Sequence, residues 1–241
     1  MILKPPKGAM LNRGSNYARG LVGCWLMNEG GGTIVNDLSG NGGTTDEVNG
    51  FNWSSGLHGP CLNRAGDNDQ EIELPNEYDP LDGSSEFTVR VICRCAVPTA
   101  TDNVLFATET KSTNDPLTIW INSDSTYTVG VVIYASGGTT GVDYGGIVVS
   151  EGVWYDIILT WRSGEDARLF INGVEDTAFD GSGASGTLNY TASQYHIGND
   201  DGRNFSFEGD IDSCMLYNRA LSATEILNLY RSPFCMFEVD L

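Results

Sequence analysis

The stretch Phe207-Glu208-Gly209-Asp210-Ile211-Asp212-Ser213-Cys214-Met215-Leu216-Tyr217-Asn218-Arg219-Ala220-Leu221-Ser222-Ala223-Thr224-Glu225-Ile226 predicts a last strand, a tight corner and a short capped helix. Ser222 and Glu225 have the capping-box spacing, in which each side chain satisfies an orphan backbone N–H of the first turn. Ile226, Leu227, Leu229 and Tyr230 give that helix an apolar face, and Pro233 closes it. Upstream, the pattern is that of strands. Phe87, Val89, Val91, Cys93, Cys95 and Val97 alternate with their neighbours, as do Tyr127, Val129, Val131 and Ile133, which predicts half-buried antiparallel strands. Asn172-Gly173 between two apolar runs is a two-residue hairpin signal. The 30 glycines, set between short apolar runs, favour strands and turns over helices. A chain of 241 residues buries roughly 70% of its unfolded surface in one core, and all-β sandwiches reach this length as one domain. The expected fold is an all-β, two-sheet antiparallel sandwich with one short C-terminal helix.

More of the chain fits the same frame, in order. Gly20 to Trp25 with Glu29-Gly30-Gly31-Gly32 reads as an opening strand and turn, and Asp37-Leu38-Ser39-Gly40-Asn41-Gly42 as the next loop. Trp53 through Gly59, Phe87-Thr88-Val89, Trp154 to Trp161, Leu169 to Val174 and Tyr195 to Asn199 follow. With the closing Ile211-Asp212 and Tyr217-Asn218-Arg219-Ala220-Leu221-Ser222, this ordered set resembles laminin-G-like jelly-roll domains of the concanavalin A-like lectin and glucanase superfamily. It departs from the family where a Trp is usual after Phe87; Ile92 and Cys93 stand there. The resemblance implies a jelly roll with Trp25, Trp154, Trp161, Cys24 and Cys214 facing the core. It also permits a structural calcium at Asp37 with Asn41, and at Asp212. The other reading of Asp37 is an Asx-turn closed on its own backbone. No cofactor is otherwise required.

Net charge is −19, and it is unevenly placed. Lys4, Lys7, Arg13 and Arg19 precede the first acidic residue, Glu29, leaving nine of the 13 basic residues against all 32 acidic ones. Phosphate backbones would repel such a body, so nucleic acid is not an expected partner. Residues 1 to 16 lack the continuous apolar core of a signal peptide, and no membrane span is apparent, so synthesis in a cytoplasm without membrane association is expected. The six cysteines are too sparse for a disulfide scaffold and lack Cys-x-x-Cys spacing, so buried free thiols are expected.

Residues 1–19 read as an extended basic arm, 20–231 as the sandwich, and 232–241 as an apolar tail. The tail's Phe234, Met236 and Phe237 either pack back on the body or insert into a neighbour. Gly181 to Gly186 spells a dinucleotide-binding pattern, but no helix follows, so the match is by chance.

Catalysis has thin support. The acids of Glu71-Ile72-Glu73 and of Glu208-Gly209-Asp210-Ile211-Asp212 are the nearest to the carboxylate pair that glycosidases need, and the second set falls on a structural motif of the resembled family. His58 and His196 have no nucleophile signature and read as packed or surface residues. For glycans, Trp120 lies out of phase with Leu117, Ile119 and Ile121, and Tyr134 out of phase with Val129, Val131 and Ile133. Both aromatics could therefore meet water and stack on a sugar, or else cover a core or an interface. Loops 37–43 and 135–145 are further glycan candidates.

The expectation is a non-catalytic protein. Its first form is a bacteriophage virion surface component, a capsid decoration or tail-associated protein. It would dock on other virion proteins or self-oligomerise through Lys4, Lys7, Arg13, Arg19, Phe234 and Phe237. Its second form is a carbohydrate-binding, lectin-like module.

Overall fold

The computed structural model describes residues 2–64, 71–96, 103–110, 116–122, 127–140, 143–188, 192–199 and 206–238. Its strands are β1 (Leu21–Trp25), β2 (Glu47–Asn49), β3 (Asn52–Ser55), β4 (Pro60–Arg64), β5 (Glu71–Glu73), β6 (Glu86–Cys95), β7 (Asn103–Thr110) and β8 (Leu117–Ile121), continuing with β9 (Thr128–Ala135), β10 (Gly138–Thr139), β11 (Asp143–Val148), β12 (Trp154–Arg162), β13 (Arg168–Ile171), β14 (Val174–Glu175), β15 (Ala192–Ile197) and β16 (Gly209–Tyr217). One helix follows, α1 (Ala223–Arg231). The first sheet runs β14-β13-β12-β6-β16-β4-β3, with β1 also on β16. The second runs β10-β9-β8-β7-β15-β5-β2, with β11 also on β9. All pairings within them are antiparallel, as a jelly roll requires.

The two sheets face each other over a core that includes Trp25, Phe87, Phe106, Ile119, Val131 and Trp161. A second apolar layer lies on the outer face of the first sheet. Here Ile158, Phe170, Met215 and Tyr217 meet Ile226 and Leu229 of α1 and the terminal Phe234 and Phe237. This layer changes one expectation. The alternation predicts a half-buried β6, yet Phe87 through Cys93 are buried on both faces, because Thr88, Arg90 and Ile92 lie beneath the helix and termini. Val97, the last residue of that pattern, lies outside the described residues. Strand β16 is buried throughout for the same reason.

Local signals act where the sequence placed them. Glu225 N–H donates to Ser222 Oγ at 3.3 Å and Ser222 N–H to Glu225 Oε2 at 2.9 Å, the reciprocal capping box. Asn172 and Gly173 take φ of 53° and 75°, as the primed hairpin turn joining β13 to β14 demands. Gly209 has φ of 143°, and a Cβ there would overlap the Arg94 carbonyl, so only glycine opens β16 at this point. Gly181 to Gly186 is loop, with no helix directly after it among the described residues. Tyr230, read as part of the apolar helix face, is instead 42% exposed and rests against Gly173. All six cysteines are free, five of them buried. None of the described helices is long and apolar enough to cross a membrane.

Candidate functional site

The outer face of the second sheet carries a small cluster of Val104, Ala107, Trp120 and Val132, with Tyr134 packed against it. Strand register explains it. Trp120 on β8 and Tyr144 on β11 both pair with Gly130 of β9, one from each side. Gly130 has no side chain, so the indole lies across its Cα; a Cβ there would come within 2.6 Å of Cζ2 and 2.7 Å of Nε1. Tyr144 then meets the indole edge-on, with ring centroids 6.0 Å apart at 85°. The sequence phase of Trp120 and Tyr134 is therefore right, but exposure is shared differently from expectation. Trp120 is only 8% exposed and Tyr134 half-buried, whereas Tyr144 is 44% exposed. The indole Nε1–H is buried and has no hydrogen-bond partner among the described residues. Tyr144 escaped the sequence reading because its strand is punctuated by Gly145 and Gly146, which hide the alternation. Of the glycan-candidate loop 135–145, residues 141 and 142 lie outside the described residues.

The residues expected to hold calcium do not assemble for it. Asp37 Oδ1 accepts from Cys24 N–H at 2.9 Å and Ser39 N–H at 2.8 Å. Its Oδ2 accepts from Ser39 Oγ at 2.7 Å, Gly43 N–H at 3.1 Å and Asn41 N–H at 3.3 Å. That is an Asx-turn elaborated into a loop knot, a shell of donors that a cation would have to displace. The Asn41 amide is turned as a donor to Leu21 O at 3.3 Å and Ser39 Oγ at 3.0 Å, not as a ligand. Asp212 belongs to another network, with Lys4 and His58. Among the described residues, no group of three His, Cys, Asp or Glu side chains is placed to hold a metal.

Asp212 stands where β16 changes neighbours. β4 pairs with Gly209 to Ile211, β1 with Cys214 to Tyr217, and the register with β6 shifts between Ile211 and Ser213. Into this gap come three donors. Lys4 Nζ lies 3.2 Å from Oδ1, His58 N–H donates to Oδ1 at 3.1 Å, and His58 Nδ1 is 3.0 Å from Oδ2. Lys4 Nζ also donates to Pro60 O, and Lys4 N–H to His58 O at 2.9 Å. Burial pushes the Lys4 ammonium below its usual range, although Asp212 opposes that shift.

The terminal segments are thereby corrected from docking arms to structure. Lys4, Phe234 and Phe237 are buried at 9%, 8% and 5% exposure. Leu11 bridges Phe237, Asn12 N–H donates to Met236 O at 2.8 Å, and Glu238 N–H to Met10 O at 3.0 Å. A buried Lys–Asp pair and a covered sheet face hold this layer down, so Lys4, Phe234 and Phe237 serve the sandwich and not a partner. Lys7, Arg13 and Arg19 remain exposed, with Arg13 Nη2 donating to Ser39 O at 3.4 Å and the Arg19 carbonyl accepting from Arg219 Nε at 2.7 Å.

The weighed carboxylates are likewise engaged. Asp210 Oδ2 meets Arg94 Nε at 2.8 Å and Nη2 at 2.7 Å, and its Oδ1 accepts from Asn63 at 2.9 Å. Glu73 accepts from Gln194, while the side chain of Glu71 lies outside the described residues. Trp154, expected in the core, instead faces outward from β12 under the Arg94 guanidinium, 5.0 Å from its ring centroid. Its register partner on β6 is Arg94, which puts it in line with Asp156 and Ile158 on the outer face.

Comparison with known proteins agrees with this architecture. No curated protein matches the chain. Among solved structures, the binding domain of Paraclostridial Mosquitocidal Protein 1 superposes with a TM-score of 0.69 at 17% identity, over 90% of this chain and 53% of that one. Trypanosoma rangeli sialidase, in complex with sialic acid, gives 0.68 at 15% identity, over 89% and 33%. Domain 4 of AbnA, a GH43 extracellular arabinanase from Geobacillus stearothermophilus, in complex with arabinotriose, gives 0.63 at 19% identity, over 87% and 98%. This chain thus spans about half of the first of these and a third of the second. At these identities the likeness is one of fold. A family model matches residues 66–227, well over half the chain, and the protein belongs to the concanavalin A-like lectin/glucanases superfamily.

Proposed function

We propose that this protein is a non-catalytic binding module that takes carbohydrate on the outer face of its second sheet. The observation that carries the reading is the Trp120–Tyr144 pair over Gly130, an aromatic shelf that leaves the Tyr144 ring exposed. A sugar presents an apolar ring face to stack, and the exposed Tyr144 ring, braced by Trp120, offers that contact. The arabinotriose complex of the arabinanase domain, matched over 98% of its length, gives precedent for a saccharide on this fold. The non-catalytic part of the reading is supported by Asp210 and Asp212, whose oxygens are committed to Arg94, Asn63, Lys4 and His58. A glycan array tests the reading. Saccharide binding that Tyr144→Ala and Trp120→Phe both weaken supports it, and an array blank at every saccharide class sinks it.

A second reading, a virion surface component docking on other virion proteins, keeps one specific observation. Ile2, Leu3 and Met10 are 45%, 64% and 69% exposed beside a cleft of about 500 Å³ between arm and tail. Apolar exposure of this kind fits an interface. Co-sedimentation with phage particles that is lost on Leu3→Asp would favour it, and a monomer that ignores particles would end it.

A further inference from the structure

On the opposite side of the sandwich, a second small pocket opens between the outer face of the first sheet and the C-terminal end of α1. Its volume is about 220 Å³, and its walls include Leu57, His58, Ile92, Trp154, Asn172 and Tyr230. The Trp120 shelf belongs to the other sheet, so the two sites are separate surfaces. At ~30 Å³ per water, the pocket has room for about seven waters, which is the scale of one sugar ring and too small for a chain.

Three residues that line it carry polar groups without a hydrogen-bond partner among the described residues. His58 is fixed through Nδ1 by Asp212 at 3.0 Å, and the buried acid favours the tautomer that carries the proton on Nδ1. The ring's other nitrogen, Nε2, has no hydrogen-bond partner among the described residues and is left as an acceptor. The His58 ring is also braced edge-on by Phe234, with centroids 5.3 Å apart at 88°. Asn172 uses Oδ1 to accept from Asp156 N–H at 2.9 Å, which leaves its NH₂ as a pair of donors. Trp154 adds an indole N–H and a ring whose orientation is set by the Arg94 guanidinium. Tyr230, 42% exposed, closes the mouth from the helix.

Charge decides the ligand class. Asp156 is the acidic wall residue, and it is neutralised by a bidentate pair with Arg90, Nε–Oδ1 2.9 Å and Nη2–Oδ2 2.7 Å. Among the described residues that line the pocket, none brings an uncompensated charge, and the chain carries −19 overall, which disfavours anions. One acceptor, amide and indole donors, and aromatic walls match a neutral ring that bears hydroxyls on its rim and an apolar face.

We infer that the His58–Trp154–Asn172–Tyr230 pocket is a second ligand site, which takes a single neutral sugar ring independently of the Trp120 shelf. His58 Nε2 accepts from a ring hydroxyl, Asn172 and Trp154 donate to neighbouring oxygens, and Tyr230 lies along the apolar face. The geometry was hidden in sequence because its residues come from a loop, two strands, a turn and the helix.

The test uses the full chain, isotope-labelled, and titrates it with free D-glucose, D-galactose, D-mannose and L-arabinose while NMR follows the side-chain N–H signals. At least one of these sugars is expected to move the Trp154 indole and Asn172 amide resonances in a saturable way, with D-glucuronate several-fold weaker. Tyr230→Ala, at an exposed position that leaves folding intact, is expected to weaken that response at least threefold, and Tyr144→Ala to leave it unchanged. The inference is overturned if no sugar moves these resonances, or if Tyr230→Ala and Trp154→Ala both leave the response as it was. Failure of the Trp120 shelf reads out separately, on the Trp120 indole signal.

Discussion

Lys4 Nζ stands 3.2 Å from Asp212 Oδ1, with the two side chains 2% and 0% exposed, so an ion pair joins the first residues of the chain to its last strand out of reach of water. Removing one partner of such a pair leaves the other charge buried. Lys4→Met, which keeps the stem and loses the charge, is expected to cost about 3–5 kcal/mol in urea unfolding. Limited proteolysis should then reach residues 5–19, now protected by the bridge from Leu11 to Phe237. A loss below about 1 kcal/mol would mean that the pair is incidental.

Arg90 is the corresponding anchor for the helix. It pairs with Asp156 through two hydrogen bonds and also donates to Leu229 O and Pro233 O, each at 3.2 Å, which satisfies carbonyls at the end of α1. Arg90→Lys keeps the charge but not the fork, and should lower stability by about 2–3 kcal/mol. Amide exchange should accelerate in α1 first. Uniform exchange across both sheets and helix would contradict this assignment.

Much of this was legible in sequence, and the reason is range. The helix from Ala223 was readable because Ser222 and Glu225 cap it within one turn, and the β13–β14 hairpin because Asn172-Gly173 specifies its own turn. The family frame followed from ordered local motifs. What sequence could not show was pairing between distant segments. Lys4 looked like a free basic residue until His58 and Asp212 came to it, and Phe234 looked like an unpartnered apolar residue until it met the outer face of the first sheet. Trp120 was found through its phase, but Tyr144 only through its register with Gly130.

Alkaline pH should expose the buried thiols. Burial pushes Cys61 and Cys95 up to about 12 from 9.0, and raises Cys24, Cys93 and Cys214 as well. Between pH 9 and the folded values, the unfolded chain has released protons that the folded chain still holds, so stability falls as pH rises. Each such thiol contributes about 1.4 kcal/mol per pH unit in that window. Lys4, with its lowered value, acts in the opposite sense below 10.5, but is one group against five. Denaturation midpoints that stay level from pH 8.5 to 10.5 would contradict the burial of these sulfurs.

Chelation should do nothing. The Asp37 carboxylate is filled by five donors from its own loop and from β1, so a melting temperature measured with EDTA should match that measured with added calcium. A clear fall on chelation would show that the loop rearranges around an ion.

Gly130→Ala sets a Cβ where the Trp120 ring now lies and forces the indole off the sheet. The expected result is a loss of about 1–3 kcal/mol together with a blue- or red-shifted indole fluorescence. An unchanged spectrum and stability would show that the ring has room to spare, contrary to its close approach to Gly130.

The most direct test of the proposed carbohydrate-binding face is calorimetry on the best array saccharide with wild-type protein and Tyr144→Ala. Tyr144 is 44% exposed, so its loss should leave the melting temperature alone while weakening affinity about tenfold, the scale of one stacking contact near 1.4 kcal/mol. Equal affinities for the two proteins, both folded, would place the sugar elsewhere and contradict the account.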